Sequence, residues 1–242
     1  MPNGAWPAFV PDREPSWTTS LALITFSILA DASAARDRAV DWAIADKGKE
    51  GDWFWRYKFH FDRAVQFRPE LYGWPWIEVA CSWVIPTGLM MVALKQYVYC
   101  KPRAEASARL RLAARMLLDR ACRSGGWNAG NSVVYGVPLV AHVESTAIAL
   151  LGLQGEQDHP VIRAGMDWLE KEALAEHGIA SLSWTVLCLA AYGREFQAIQ
   201  ANIAEWLSKT SELPSNTATL ALALALLALR CQEMIHPFIV PV

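Results

Sequence analysis

Charged residues are scarce in this chain of 242 residues, at 19%, and neither sign is in excess. The 22 Lys and Arg residues nearly balance the 24 Asp and Glu residues. Because the sequence lacks the basic surplus that neutralises phosphates, nucleic acid is not expected as a partner. Hydrophobic residues make up 53% of the sequence, which excludes a disordered chain and supplies a large core.

Long apolar runs and regularly spaced metal ligands are lacking as well. The purest apolar run, Leu220–Leu229, covers about half of a membrane-spanning helix. Met1–Gly4 lacks the charged and apolar regions of a signal peptide, so we expect a cytoplasmic protein, with peripheral membrane contact left open. The five Cys are odd in number and far apart, and neither they nor the five His fall at ligand spacing. The sequence therefore predicts no disulfide framework, no metal and no cofactor.

A short pattern recurs five times along the chain: a small or hydroxyl residue, a Thr, and then a run rich in Ala and Leu. The threonines are Thr19, Thr87, Thr146, Thr185 and Thr217. Self-similarity at such a period is typical of repeat architectures. Because these runs are apolar nearly all round, they predict buried inner helices near 17–30, 86–99, 145–154, 182–192 and 216–230.

Amphipathic segments lie between these runs, and three of them carry an acid directly before a Trp. They predict outer helices near 33–46, 103–122, 160–176 and 195–209. Antiparallel helix pairs complete their core by stacking around an axis, so we expect one all-α domain over 1–242, an α/α toroid. Whether five pairs close the ring stays open. Residues 48–76 show neither helical period nor strand alternation, which predicts a long irregular loop of functional importance.

The tryptophans complete the pattern. Twelve are present, and Gly-x-Trp or Gly-Trp openings occur at Trp6, Trp74 and Trp127 before the Thr-Ala-rich runs. This combination resembles the prenyltransferase and squalene-hopene cyclase repeat superfamily over nearly the whole chain. The resemblance implies a toroid whose inner helices surround an aromatic-lined cavity, and a polyprenyl or other hydrophobic ligand.

Motifs of that superfamily can be sought residue by residue. The chain has no Asp-x-Cys, so the zinc of protein prenyltransferases is not expected, and no DDxxD run for magnesium diphosphate. Class II terpene cyclases carry DxDD directly before Thr-Ala, where this chain has His142-Val143-Glu144-Ser145. The resemblance makes Glu144 the proton donor and His142 its partner, although only one of the three family acids remains. An acid in a first helical turn also simply favours the helix dipole, and both interpretations stay open.

Aromatic residues at the starts of inner helices are candidates to stabilise a cation. We predict that Trp17, Trp83 and Trp184 gather with Glu144 and His142 at one end of the ring. Further predicted substrate-binding residues are Trp74, Trp76 and, as a second candidate acid, Glu78.

Three hypotheses about function follow. The first is a class II terpene cyclase-like protein, which if active is an isomerase or lyase. The second is a non-catalytic binding or scaffold protein that keeps the ring without the acidic motif. The third is an enzyme with a non-cationic reaction on an apolar substrate. Because the family's larger cyclases join two toroids, a second toroid subunit or another copy of this chain is a possible partner.

Overall fold

A computed structural model describes residues 1–9, 11–30, 33–62, 64–209, 216–231 and 236–241, with side chains throughout except at 216–220 and 222. These ranges contain ten α-helices: α1 Thr18–Ile28, α2 Ala34–Ala45, α3 Trp53–Phe61, α4 Val84–Cys100, α5 Ala104–Asp119, α6 Val143–Gly152, α7 Pro160–Glu172, α8 Ile179–Ala191, α9 Gln197–Lys209 and α10 Asn216–Leu229. Short 3-10 helices cover Lys49–Gly51 and Ala173–Ala175. Strands β1 (Val133–Val134) and β2 (Val137–Pro138) form one antiparallel hairpin. The all-α prediction is confirmed.

Nine helices lie where the repeat pattern predicts them, within about four residues at each end. The tenth, α3, lies inside the segment 48–76 that was predicted to be irregular, and it corrects that prediction. Asp52 caps α3 by accepting a hydrogen bond from the Phe54 N–H (2.9 Å). Aromatic residues occur on every side of α3 and none of its residues is buried, so the sequence shows no apolar stripe there.

The apolar helices α1, α4, α6, α8 and α10 pack side by side in chain order. The amphipathic helices α2, α5, α7 and α9 each pack on the apolar helix that precedes them. The core therefore runs along the row of apolar helices, and α4 is buried almost all round between Val84 and Leu94. In the part of the chain described, no helix combines the length and apolar character needed to cross a bilayer.

Helices α4 and α6 approach each other at two glycines. A Cβ added to Gly88 would lie 2.5 Å from the carbonyl oxygen of Ile148, and one added to Gly152 would lie 2.8 Å from the Gly88 Cα. Backbone atoms cannot yield as a flexible side chain does, so only glycine fits at these positions. This contact fixes α4 against α6.

The recurring Thr ties each Gly-Trp loop to the helix that follows it. The backbone N–H of Trp74 donates to Thr87 Oγ1 (3.0 Å), whose hydroxyl donates to the Trp74 carbonyl (3.4 Å). The pairs Trp127–Thr146 and Trp6–Thr19 repeat the arrangement. The repeat thus reflects a shared hydrogen-bonding need of buried loop backbone.

The fourth repeat follows a different pattern. Thr185 instead donates to the Ser181 carbonyl (2.9 Å) within its own helix α8. The side chain of Thr217 lies outside the described residues.

Candidate functional site

A cavity of about 430 Å³ lies where α4 and α6 begin. Trp83 immediately precedes α4 and His142 immediately precedes α6, and both line the cavity. The remaining lining is largely apolar: Phe59, Val65, Phe67, Val134, Leu139 and Val140. Its size falls within the range of small-molecule sites, which are mostly apolar with a few polar groups.

The cavity is covered by α3 and the hairpin. The Tyr135 N–H donates to the Ala64 carbonyl (2.7 Å), which joins the hairpin to the segment after α3. Tyr135 and Gly136 both have positive φ, as the tight turn of a two-residue hairpin requires. Residues 48–76, which were predicted to form a functional loop, therefore do border a cavity. They do so through α3 and the stretch that follows it.

A buried ion pair supports one side of the cavity. Arg120 donates to Glu50 (2.7 Å), and their side chains are 3% and 0% exposed. Glu50 accepts from the Ser82 N–H (3.1 and 3.2 Å), while Arg120 also donates to the Ser82 carbonyl (2.8 Å). The pair holds both backbone groups of Ser82, and so fixes the neighbouring Trp83 and Cys81. Burial raises the pKa of the Cys81 thiol, and the nearby Glu50 carboxylate adds to the rise.

Sequence reasoning missed several polar residues of this cavity. Arg120, Asn128 and Asn131 line it, and each has a buried side-chain atom without a hydrogen-bond partner. The two asparagines follow the Gly-Gly-Trp opening in the stretch Gly125–Asn131. Asn128 directly after the loop tryptophan Trp127, with Asn131 three residues later, was the available signal in the sequence. Arg120 has the sequence position of an ordinary charged residue at a helix end.

Glu144 lies in the first turn of α6, partly buried. Burial raises the pKa of its carboxyl group, and the Glu176 carboxylate raises it further, while His142 opposes the rise. Glu144 is not among the residues that line the cavity, although its neighbour His142 is. Of the predicted donor and its partner, His142 therefore lines the cavity and Glu144 does not.

The structure brings Trp83 and His142 together at the cavity but not the other predicted aromatic residues. Trp17 packs edge-on against Trp76, with ring centroids 5.2 Å apart. Trp74 is 1% exposed, and its indole N–H donates to the Ala43 carbonyl (2.7 Å), so it packs inside the protein.

Two further predicted residues have partners of their own. Trp184 packs against Phe238, with ring centroids 4.9 Å apart. Because α8 begins at Ile179, earlier than expected, Trp184 lies in its second turn instead of at its start. Glu78 accepts a long hydrogen bond from the Trp42 indole (3.5 Å) and does not line the cavity.

Neither a comparison with models of known protein families nor a search of curated proteins gives a match for this chain. Among the described residues, no three His, Cys, Asp or Glu side chains are grouped closely enough to hold a metal ion. The function therefore has to be inferred from the chemistry of the cavity.

Proposed function

We propose that the row of apolar helices curves into an α/α toroid and that the protein binds an isoprenoid-like hydrophobic molecule in the cavity at the start of α4 and α6. The ordered packing of the five apolar helices supports the toroid. The observation that carries the binding proposal is the cavity itself, about 430 Å³ with Phe59, Phe67 and Trp83 on its walls. Aromatic faces suit the alkene groups of an isoprenoid chain.

Filling the cavity tests this proposal. Ala129 lines the cavity, so Ala129→Leu places extra carbon atoms in the space that the ligand needs. We expect the affinity for the isoprenoid probes farnesol and farnesene to fall by about tenfold or more, measured by titration of tryptophan fluorescence. Ala108→Leu, on the exposed side of α5, is the matched control and should leave affinity unchanged. Equal affinity in both variants, or no binding by the unaltered protein, would sink the proposal.

The surroundings of the cavity suggest where such a ligand is taken up. The α3 side chains Trp53, Phe54, Tyr57 and Phe61 are 53–76% exposed. Exposed aromatic groups of this kind fit a lipid surface or a covering subunit. The proposal is a cytoplasmic protein that contacts a membrane surface through α3, with a second toroid or another copy of this chain as the alternative cover.

A second candidate function is class II cyclisation, and the environment of Glu144 favours it. Burial raises the pKa of this carboxyl group, which helps it to hold a proton. In the reaction, Glu144 would transfer that proton to an alkene carbon, the cation would close a carbon–carbon bond, and loss of a proton from carbon would end the sequence. His142, which does line the cavity, would adjust the acidity of the Glu144 carboxyl group.

Glu144→Gln separates catalysis from binding. Glutamine keeps the size of the side chain but has no proton to transfer, so product formation from a polyprenyl substrate should fall by about 100-fold or more. The free energy of unfolding should change by only about 0.5 kcal/mol, as for a lost helix-dipole contact. Glu105→Gln, in the first turn of α5, is the matched control for that loss. Unchanged product formation would remove Glu144 as the acid, and Glu78 would be tested next.

If neither the unaltered protein nor the variant forms product while both bind farnesol, the non-catalytic hypothesis is favoured. The position of Glu144 outside the cavity lining supports this non-catalytic hypothesis.

A further inference from the structure

Unpartnered polar atoms are concentrated around the cavity. Three buried side-chain atoms without a hydrogen-bond partner belong to residues that line it: Arg120 Nε, Asn128 Nδ2 and Asn131 Oδ1. Buried polar groups in folded proteins are nearly always hydrogen-bonded, and each exception calls for a physical reason. A ligand that supplies the missing partners is such a reason.

The orientation of Asn128 is fixed by its neighbour. Its side-chain oxygen accepts a hydrogen bond from the Gly130 N–H (2.9 Å). Because a backbone N–H can only donate, the atom facing it must be the oxygen, and the other end of the amide must be the NH2 group. Asn128 is only 4% exposed, so this NH2 group is a donor that water does not reach freely.

Arg120 offers a donor without offering a free charge. Its Nη1 donates to the Ser82 carbonyl and its Nη2 to Glu50, while the buried Nε–H has no hydrogen-bond partner. Glu50 neutralises the guanidinium at 2.7 Å. The Asp62 carboxylate also borders the cavity and would repel an anionic group such as a diphosphate. The described lining residues include no Lys and no Arg besides the neutralised Arg120, and His142 is their one other basic side chain.

We infer that the cavity binds an amphipathic ligand with an uncharged oxygen head group, an isoprenoid alcohol, in preference to a hydrocarbon or a diphosphate. The alcohol oxygen accepts from Asn128 Nδ2 and Arg120 Nε, and its O–H donates to Asn131 Oδ1. The apolar chain lies against Phe59, Phe67 and Trp83. This inference rests on the proposed function, since it names the ligand class of the same cavity.

The test compares three probes with one chain and different heads: farnesol, farnesene and farnesyl diphosphate. The full protein should bind farnesol at least about tenfold more tightly than either of the others, because only the alcohol satisfies the buried donors and acceptor. Asn128→Asp keeps the oxygen that accepts from Gly130 but replaces the donor, so farnesol affinity should fall about tenfold while farnesene affinity stays unchanged. Asn202→Asp, at an exposed position on α9, controls for the added charge.

A second variant distinguishes a loss of binding from a folding defect. Asn131→Leu removes the acceptor and should weaken farnesol binding alone, with the melting temperature recorded for every variant. Equal affinity for farnesol and farnesene, tightest binding of the diphosphate, or equal losses for all probes in the variants would overturn the inference while leaving apolar binding intact. If none of the three probes binds, the proposed function fails and this inference fails with it.

Discussion

Replacing Glu50 by alanine is expected to lower the free energy of unfolding by about 3–5 kcal/mol, since it leaves the Arg120 guanidinium charged and unpaired inside the protein. Both side chains are almost completely buried, at 0% and 3% exposure. The substitution also removes the acceptor of the Ser82 N–H, so a buried backbone donor loses its partner. Urea-induced unfolding, followed by circular dichroism, measures the effect.

Two controls show whether the buried charge is the cause. Glu70→Ala breaks the exposed pair with Arg68 and should change stability by less than about 1 kcal/mol, because solvent screens such pairs. Combining Glu50→Leu with Arg120→Met removes both charges, and the double variant should recover most of the stability that Glu50→Ala loses. A loss below about 1 kcal/mol for Glu50→Ala would mean that water reaches Arg120.

The helices that form the core were predictable from sequence because their determinants are local. All five repeats have a Thr and apolar residues on all sides, and in the first three a Gly-Trp loop precedes the Thr by less than about twenty residues. The hydrogen bonds between Thr87 and Trp74 and between Thr146 and Trp127 give this spacing its physical cause. Nothing comparable marks α3, whose aromatic residues give no period.

The candidate site was only partly predictable, because its determinants are distant in sequence. Glu50 and Arg120 are 70 residues apart, and no pattern in either segment indicates that they meet. Trp83 was identified because it precedes a predicted inner helix, and His142 because it stands where the family motif has its first acid. Trp184 packs against Phe238 in the second turn of α8, which begins three residues before its predicted start.

Trp127 packs its Gly-Trp loop against the helices α5 and α7. Its side chain is fully buried, and its indole N–H donates to the Leu117 carbonyl (2.6 Å) at the end of α5. On the other side, the ring fits against Gly165 in the middle of α7. Trp127→Ala is expected to cost about 3–5 kcal/mol, as is usual for deletion of a buried aromatic ring.

The fit of Trp127 against Gly165 predicts that one substitution changes sign with its background. A Cβ on Gly165 would lie 2.6 Å from Trp127 Cζ3, so Gly165→Ala should destabilise the unaltered protein by about 1–3 kcal/mol. In the Trp127→Ala background the ring is gone, and the better helix propensity of alanine should make the same substitution stabilising by about 1 kcal/mol. A double-mutant cycle measured by urea unfolding gives the coupling energy. If Gly165→Ala has the same effect in both backgrounds, the ring does not set the need for glycine at this position.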